Sequence, residues 1–121
     1  MAALRDRLWK PLTALILAAI AWVSLSPLPE LPLPSLLLWD KIQHLIAYTI
    51  LALPVAHAAP RRWPLWILFF LAVSAGIELI QPQVNRYGEW KDLVANAMGL
   101  TLGSATGTVL RYTILPRKTA R

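Results

Sequence analysis

The chain has 121 residues, of which 57% are hydrophobic and only 15% are charged, and its mean hydropathy is +0.53. Soluble proteins average about 45–50% apolar residues, so this composition favours an integral membrane protein with room for one domain. The formal net charge is +6, but the basic residues stand between apolar runs, which indicates contact with membrane lipids and no nucleic-acid partner. The chain lacks cysteine, which excludes disulfides, thiol chemistry and cysteine-ligated metal sites.

The first apolar run covers residues 11–28 and follows a short basic head, residues 1–10. This run is near the lower length limit for a membrane span, about 17 residues, and Pro11 is expected in the first helical turn, where helices tolerate proline. A cleaved secretory signal peptide has the same order of basic head and apolar centre. Because Pro27 would follow the cleavage position, which signal peptidases disfavour, we expect an uncleaved first helix.

Three further helices are expected after a proline-rich connector, residues 27–34. Four prolines in these eight residues exclude a helix there and favour an extended chain. The further helices are expected at about residues 39–57, 63–81 and 91–112. We therefore predict an all-α fold, in which residues 1–121 form a single domain, a four-helix transmembrane bundle.

Basic residues near the helix ends predict the orientation of this bundle. Nine lie in the head, the second connector and the tail: Arg5, Arg7, Lys10, Arg61, Arg62, Arg111, Arg117, Lys118 and Arg121. Three lie at the opposite helix ends: Lys41, Arg86 and Lys91. Because basic residues accumulate on the cytoplasmic side of a membrane, we expect both termini to be cytoplasmic and the opposite helix ends to face outward.

The polar side chains of the expected spans converge on that outer end. Residues four apart on a helix lie one above another, as do Asp40, His44 and Tyr48. The expected rim of the cluster consists of Asp40, Lys41, Gln81, Arg86 and Asp92. One turn deeper come His44, Glu78 and Asn96, with Tyr48 lower still. Ionisable groups are costly to bury in a membrane, so this segregation indicates a functional site.

A purely structural role for the cluster competes with a functional one, because buried polar pairs also hold membrane helices together, at about 0.6–2 kcal/mol per pair. Helix cohesion alone does not require a histidine and three carboxylates, whose combination suits general acid–base chemistry. The same groups could hold a divalent cation. The sequence lacks a dense metal motif such as HExxH, so we assign no metal ligands, and it indicates no particular cofactor.

The fourth expected helix carries small residues at strict four-residue spacing: Ala95, Gly99, Gly103 and Gly107. Such a stripe lets two helices approach closely within a membrane. We therefore expect a helix-packing face, beside which Asn96 is held in a fixed position.

Four groups of residues in this chain match the order, spacing and helix position of motifs in one known family. They are Asp40-Lys41-x-x-His44-x-x-x-Tyr48, Gly76-x-Glu78-x-x-Gln81, Arg86, and Asp92-x-x-x-Asn96-x-x-Gly99-x-x-x-Gly103. Over about residues 36–108 the chain resembles the VanZ-like family, small bacterial membrane proteins whose founding member is associated with resistance to the glycopeptide antibiotic teicoplanin. The resemblance implies a four-helix protein of the bacterial inner membrane whose outer side is periplasmic.

These observations predict an outward-facing polar pocket that recognises or modifies a cell-envelope or lipid-linked molecule, or a glycopeptide, with a link to glycopeptide resistance. In an enzyme the catalytic residues would be His44, as acid or base, with Glu78, Asp40 and Asp92. The expected substrate-binding residues are Arg86, Gln81, Asn96, Tyr48 and Lys41. A binding module would use the same residues without turnover. The alternative is a non-catalytic structural or partner-binding subunit, in which the glycine stripe docks another protein.

Overall fold

The computed structural model describes residues 2–26, 34–81 and 90–114 of the chain, and these residues contain helices but no strand. In chain order the helices are α1 (Ala2–Leu25), α2 (Pro34–Ala58), α3 (Trp63–Ile80) and α4 (Trp90–Ile114). The predicted all-α class is confirmed. Both α3 and α4 begin and end within two residues of their predicted bounds.

Helix α1 begins at Ala2 and not at residue 11, so Pro11 lies inside the helix instead of at its start. The proline removes one backbone hydrogen bond, but the turn before it is held by packing. Trp9 is buried, and its ring centroid lies 5.6 Å from that of Trp66 in an edge-to-face arrangement. The predicted start of α1 is wrong because the contact between Trp9 and α3 stabilises the helical turns that precede Pro11.

Helix α2 begins at Pro34 and not at residue 39. Proline suits the first position of a helix, because the N–H that it lacks would have no acceptor within the helix there. The prediction of a non-helical connector is therefore wrong for Pro34, and residues 27–33 of that connector lie outside the described residues.

The four helices alternate in direction, which brings all the polar helix ends to one end of the bundle. α1 and α3 point the same way, because Trp9 meets Trp66 near their starts and the Gln81 amide, just after α3, donates to the Ser24 carbonyl near the end of α1. α2 and α4 also point the same way, since Lys41 pairs with Asp92 near their starts. The ends of α1 and α3 therefore lie beside the starts of α2 and α4.

The glycine stripe of α4 packs against the backbone of α2. A Cβ atom built on Gly99 would lie 2.5 Å from the carbonyl oxygen of Leu45, and one built on Gly103 would overlap the carbonyl oxygen of Thr49. One built on Gly107 would lie 2.7 Å from the Cβ of Ala56. The helix-packing role predicted for these glycines is confirmed. At these three positions the partner of the stripe is α2 of the same chain.

The outer surface of the described helices is apolar, as a bilayer environment requires. Large hydrophobic side chains are exposed on every helix, among them Leu15, Ile46, Phe69 and Val109. Three segments are long and apolar enough to cross a membrane: Arg5–Leu25, Trp63–Ile80 and Trp90–Thr113. Helix α2 is not among them, and its described part carries Lys41, Gln43, His44 and His57. It is also the helix that contributes most to the core, with Leu51, Ala52, Val55 and Ala56 fully buried.

Candidate functional site

An ion pair between α2 and α4 forms the outermost described layer of the polar cluster. The Lys41 ammonium group lies 2.5 Å from Oδ1 of Asp92, whose side chain is 2% exposed. Because α2 and α4 run in the same direction and are drawn together by the glycine stripe, their first turns stand side by side. The near-complete burial of Asp92 makes this pair more than an exposed surface contact.

His44 forms the next layer, one turn further along α2. Its Nδ1 lies 2.9 Å from the amide oxygen of Asn96, while its Nε2 lies 3.8 Å from Oδ2 of Asp92. The first distance is a hydrogen bond, and the second is too long for one. A neutral His44 therefore donates its Nδ1 proton to Asn96 and carries its lone pair on Nε2, on the side of Asp92.

The hydrogen bonding continues from Asn96 into α3. The Asn96 amide nitrogen donates to the Ser74 hydroxyl at 2.5 Å, and Tyr48 of α2 lies near Ser74. The amide of Asn96 is thereby fixed at both ends, with its oxygen towards His44 and its nitrogen towards Ser74. This chain of bonds holds the imidazole in one orientation and ties three helices together.

Glu78 joins the cluster from α3, one turn beyond Ser74. One side-chain ligand atom each from His44, Glu78 and Asp92 can be chosen so that all three lie within 4.8 Å of one another. His44 and Asp92 are buried, and Glu78 is partly buried. The three side chains come from three different helices, so they are far apart in the sequence and form no short sequence motif.

An apolar groove between α1 and α2 leads to this cluster. Its volume is about 370 Å³, and His44 and Tyr48 form part of its wall. The rest of the lining is mainly aliphatic: Ile16, Ala19, Ile20, Val23, Ala47 and Ile50. Ser24 and Gln43 also line it. The sequence predicts a polar pocket, whereas this groove is apolar along most of its length and has polar groups only at His44, Tyr48, Ser24 and Gln43 of its lining.

Of three further predicted site residues, one has its contact elsewhere and two are not described. Gln81 is buried, and its amide donates to the Ser24 carbonyl at 3.1 Å, so it joins α3 to α1. Arg86 and the side chain of Asp40 lie outside the described residues, although the backbone of Asp40 is in α2. The structure thus brings together Lys41, His44, Tyr48, Glu78, Asp92 and Asn96.

The sequence analysis did not identify Ser74, which is fully buried and accepts the Asn96 bond. A signal for it exists in the sequence, because Ser74 stands four residues before Glu78, one turn away on the same helix. A small hydroxyl side chain is common in apolar helices and carries little information by itself. Its significance becomes apparent only when Asn96 is placed opposite it.

Comparisons with known proteins assign neither a family nor a function to this chain. No protein-family model, curated protein or solved structure matches the chain. The chemistry available to the site therefore has to be judged from its own groups: an oriented imidazole, two carboxylates and an ammonium group at the end of an apolar groove.

Proposed function

We propose that this chain is a VanZ-like protein of the bacterial inner membrane, with four spans and both termini cytoplasmic. Helix α2 has 25 residues, or roughly 37 Å at about 1.5 Å per residue, which exceeds the hydrocarbon thickness of about 30 Å. Its packing against α4 gives protein partners to the polar residues near its start, since Lys41 pairs with Asp92 and His44 with Asn96. The excess of basic residues at the opposite end from the cluster supports an outward-facing site.

The site binds or modifies an amphipathic molecule of the cell envelope, such as a lipid-linked intermediate. The observation that carries this proposal is that His44 belongs both to the polar network and to the wall of the apolar groove, which it forms together with Tyr48. A molecule with its hydrocarbon chain in the groove would present its polar head group to His44. The groove opens on the bundle surface, where a bilayer would supply such a chain.

The roles of the polar groups follow from their positions. His44 acts as acid or base through Nε2, because its other ring nitrogen is held by Asn96. Asp92 and Glu78 place carboxylates beside the imidazole, and Lys41 offers a positive charge to a phosphate or carboxylate head group. A link to glycopeptide susceptibility follows if the head group belongs to a cell-wall precursor or to the lipoglycopeptide itself.

A structural subunit without catalysis is the second candidate, and one observation favours it. The Ser74–Asn96–His44 chain joins α2, α3 and α4 and would stabilise the bundle without any ligand. Under this candidate, disrupting the chain lowers stability and function together. Under the site proposal, changes in the groove impair function while stability is retained.

Two neighbouring alanines of α1 provide the test. Ala18 and Ala19 are both exposed, but only Ala19 lines the groove. Ala19→Trp should fill the groove and abolish complementation of a deletion strain, whereas Ala18→Trp should complement normally. Membrane levels and melting temperature in detergent should be equal for the two variants. Equal complementation by both variants would refute a ligand in the groove.

A further inference from the structure

The most informative feature of the cluster beyond its hydrogen bonds is the convergence of one imidazole and two carboxylates. His44, Glu78 and Asp92 come from three helices, and their ligand atoms lie within 4.8 Å of one another. Imidazole nitrogen and carboxylate oxygen are ligands that zinc and similar divalent transition metals accept. We propose that these three side chains bind one divalent transition-metal ion, with Zn²⁺ as the best fit.

The distances are compatible with one ion between the three groups. Zinc lies about 2.0–2.2 Å from nitrogen and oxygen ligands, so two ligands of one ion are at most about 4.4 Å apart. The 3.8 Å between His44 Nε2 and Asp92 Oδ2 lies within this limit. The ligand atoms of all three residues lie within 4.8 Å of one another, which exceeds the limit of about 4.4 Å only slightly. A side-chain movement of roughly half an ångström would bring all three within bonding distance of one ion.

Asn96 supplies the second, independent observation. A histidine that binds metal through one nitrogen almost always donates its other N–H to a carboxylate, a carbonyl or water, which fixes the tautomer. Asn96 Oδ1 takes this position at Nδ1 of His44, and the bond from Asn96 to Ser74 prevents the amide from turning over. Asn96 is thus a positioning residue that directs the Nε2 lone pair towards the two carboxylates.

Asp92 can serve the metal and Lys41 at the same time, because its two oxygens face different partners. Oδ1 pairs with the Lys41 ammonium group, and Oδ2 is the oxygen on the side of His44. Lys41 would then hold the carboxylate in place without occupying the metal-facing oxygen.

Three protein ligands leave a further coordination position for water or a ligand, which is the arrangement of catalytic zinc sites. Bound there, the metal would supply a Lewis acid for a head-group oxygen. This inference deepens the proposed function by naming what the polar end of the site holds. Metal binding by purified protein is nevertheless measured separately from complementation, so either proposal can fail alone.

The test is metal binding by the full chain, purified in detergent and stripped with a chelator. Titration with Zn²⁺ against a fluorescent competitor should give one ion per chain. His44→Gln and Glu78→Gln should each weaken binding by at least about 100-fold, since loss of a ligand exceeds the 10–100-fold effect of an outer partner. The control is His57→Gln, because His57 is the other histidine and lies at the opposite end of α2. It should bind as the unmodified chain does.

Variants of Asn96 test whether this residue positions His44 for metal binding or has only a structural role. Asn96→Leu removes the acceptor for Nδ1–H and should weaken Zn²⁺ binding by about 10–100-fold, while Asn96→Asp keeps an acceptor and should restore it. With Co²⁺ as the probe, the visible absorption spectrum should change in Asn96→Leu and return in Asn96→Asp. Absence of stoichiometric binding to the unmodified chain, equal binding by His44→Gln and His57→Gln, or binding of Mg²⁺ in preference to Zn²⁺ would overturn the proposal.

Discussion

Replacing Gly103 by alanine tests how closely α2 and α4 must approach. The added Cβ would overlap the Thr49 carbonyl oxygen and lie 2.9 Å from the Cβ of Ala52. Neither obstacle is the end of a flexible side chain, so the two helices must separate. Overpacking costs about 1–3 kcal/mol, whereas alanine gains about 0.5–1 kcal/mol over glycine within a helix. The overpacking cost minus the gain from alanine predicts that the free energy of unfolding falls by about 1–2 kcal/mol.

Gly76→Ala is the matched control for this experiment. Gly76 also lies within a helix, but a Cβ built there meets nothing within 4 Å. Alanine at this position should leave stability unchanged or raise it by about 0.5–1 kcal/mol. Reversible unfolding of both variants in mixed micelles, with denaturing detergent as the titrant, measures the difference. If Gly103→Ala proves as stable as Gly76→Ala, the close packing of α4 on α2 does not hold the bundle together.

Three further predictions concern topology, the polar chain and the ion pair. Because the chain contains no cysteine, single cysteines at Ser26, Arg61 and Trp90 can be labelled in intact cells with a membrane-impermeant maleimide. Ser26 and Trp90 should react and Arg61 should not, and labelling of Arg61 from outside would contradict a spanning α2. Ser74→Ala should destabilise the bundle by about 1–3 kcal/mol, because it leaves the buried Asn96 amide without its acceptor; a melt unchanged from that of the unmodified chain would contradict this. Lys41→Met should destabilise more than Lys91→Met, since only Lys41 pairs with buried Asp92, and detergent melts that rank the two variants equally would contradict it.

Much of the fold could be predicted from the sequence because membrane helices are long apolar runs bounded by polar or proline-rich segments. The bounds of α3 and α4 follow from this pattern to within two residues. The early start of α1 could not be predicted, because it depends on the contact between Trp9 and Trp66, which are distant in sequence. Local rules place proline at the start of a helix, and this long-range packing overrides them at Pro11.

Part of the candidate site could also be predicted, for a definite physical reason. In a bundle of alternating helices, residues at the same depth meet, so the turn spacing that places Lys41 above His44 also places Asp92 above Asn96. Their pairing across α2 and α4 follows from this depth. The direction of Gln81 towards Ser24 could not be predicted, because depth does not determine which neighbour a side chain faces. The groove between α1 and α2 could not be predicted either, since it depends on the distance between the two helices.

Complementation by His44→Ala and Glu78→Gln tests the central claim, that the polar cluster is a ligand site, most directly. A deletion strain with a measurable phenotype, such as altered glycopeptide susceptibility, is transformed with each variant, and His57→Ala serves as the control. Membrane levels and melting temperature in detergent are measured on the same variants. The site proposal predicts that His44→Ala and Glu78→Gln accumulate in the membrane yet fail to complement, even where their loss of melting temperature is no larger than that of Ser74→Ala. Full complementation by both, or failure only in proportion to lost stability, would contradict it and leave the cluster with a structural role.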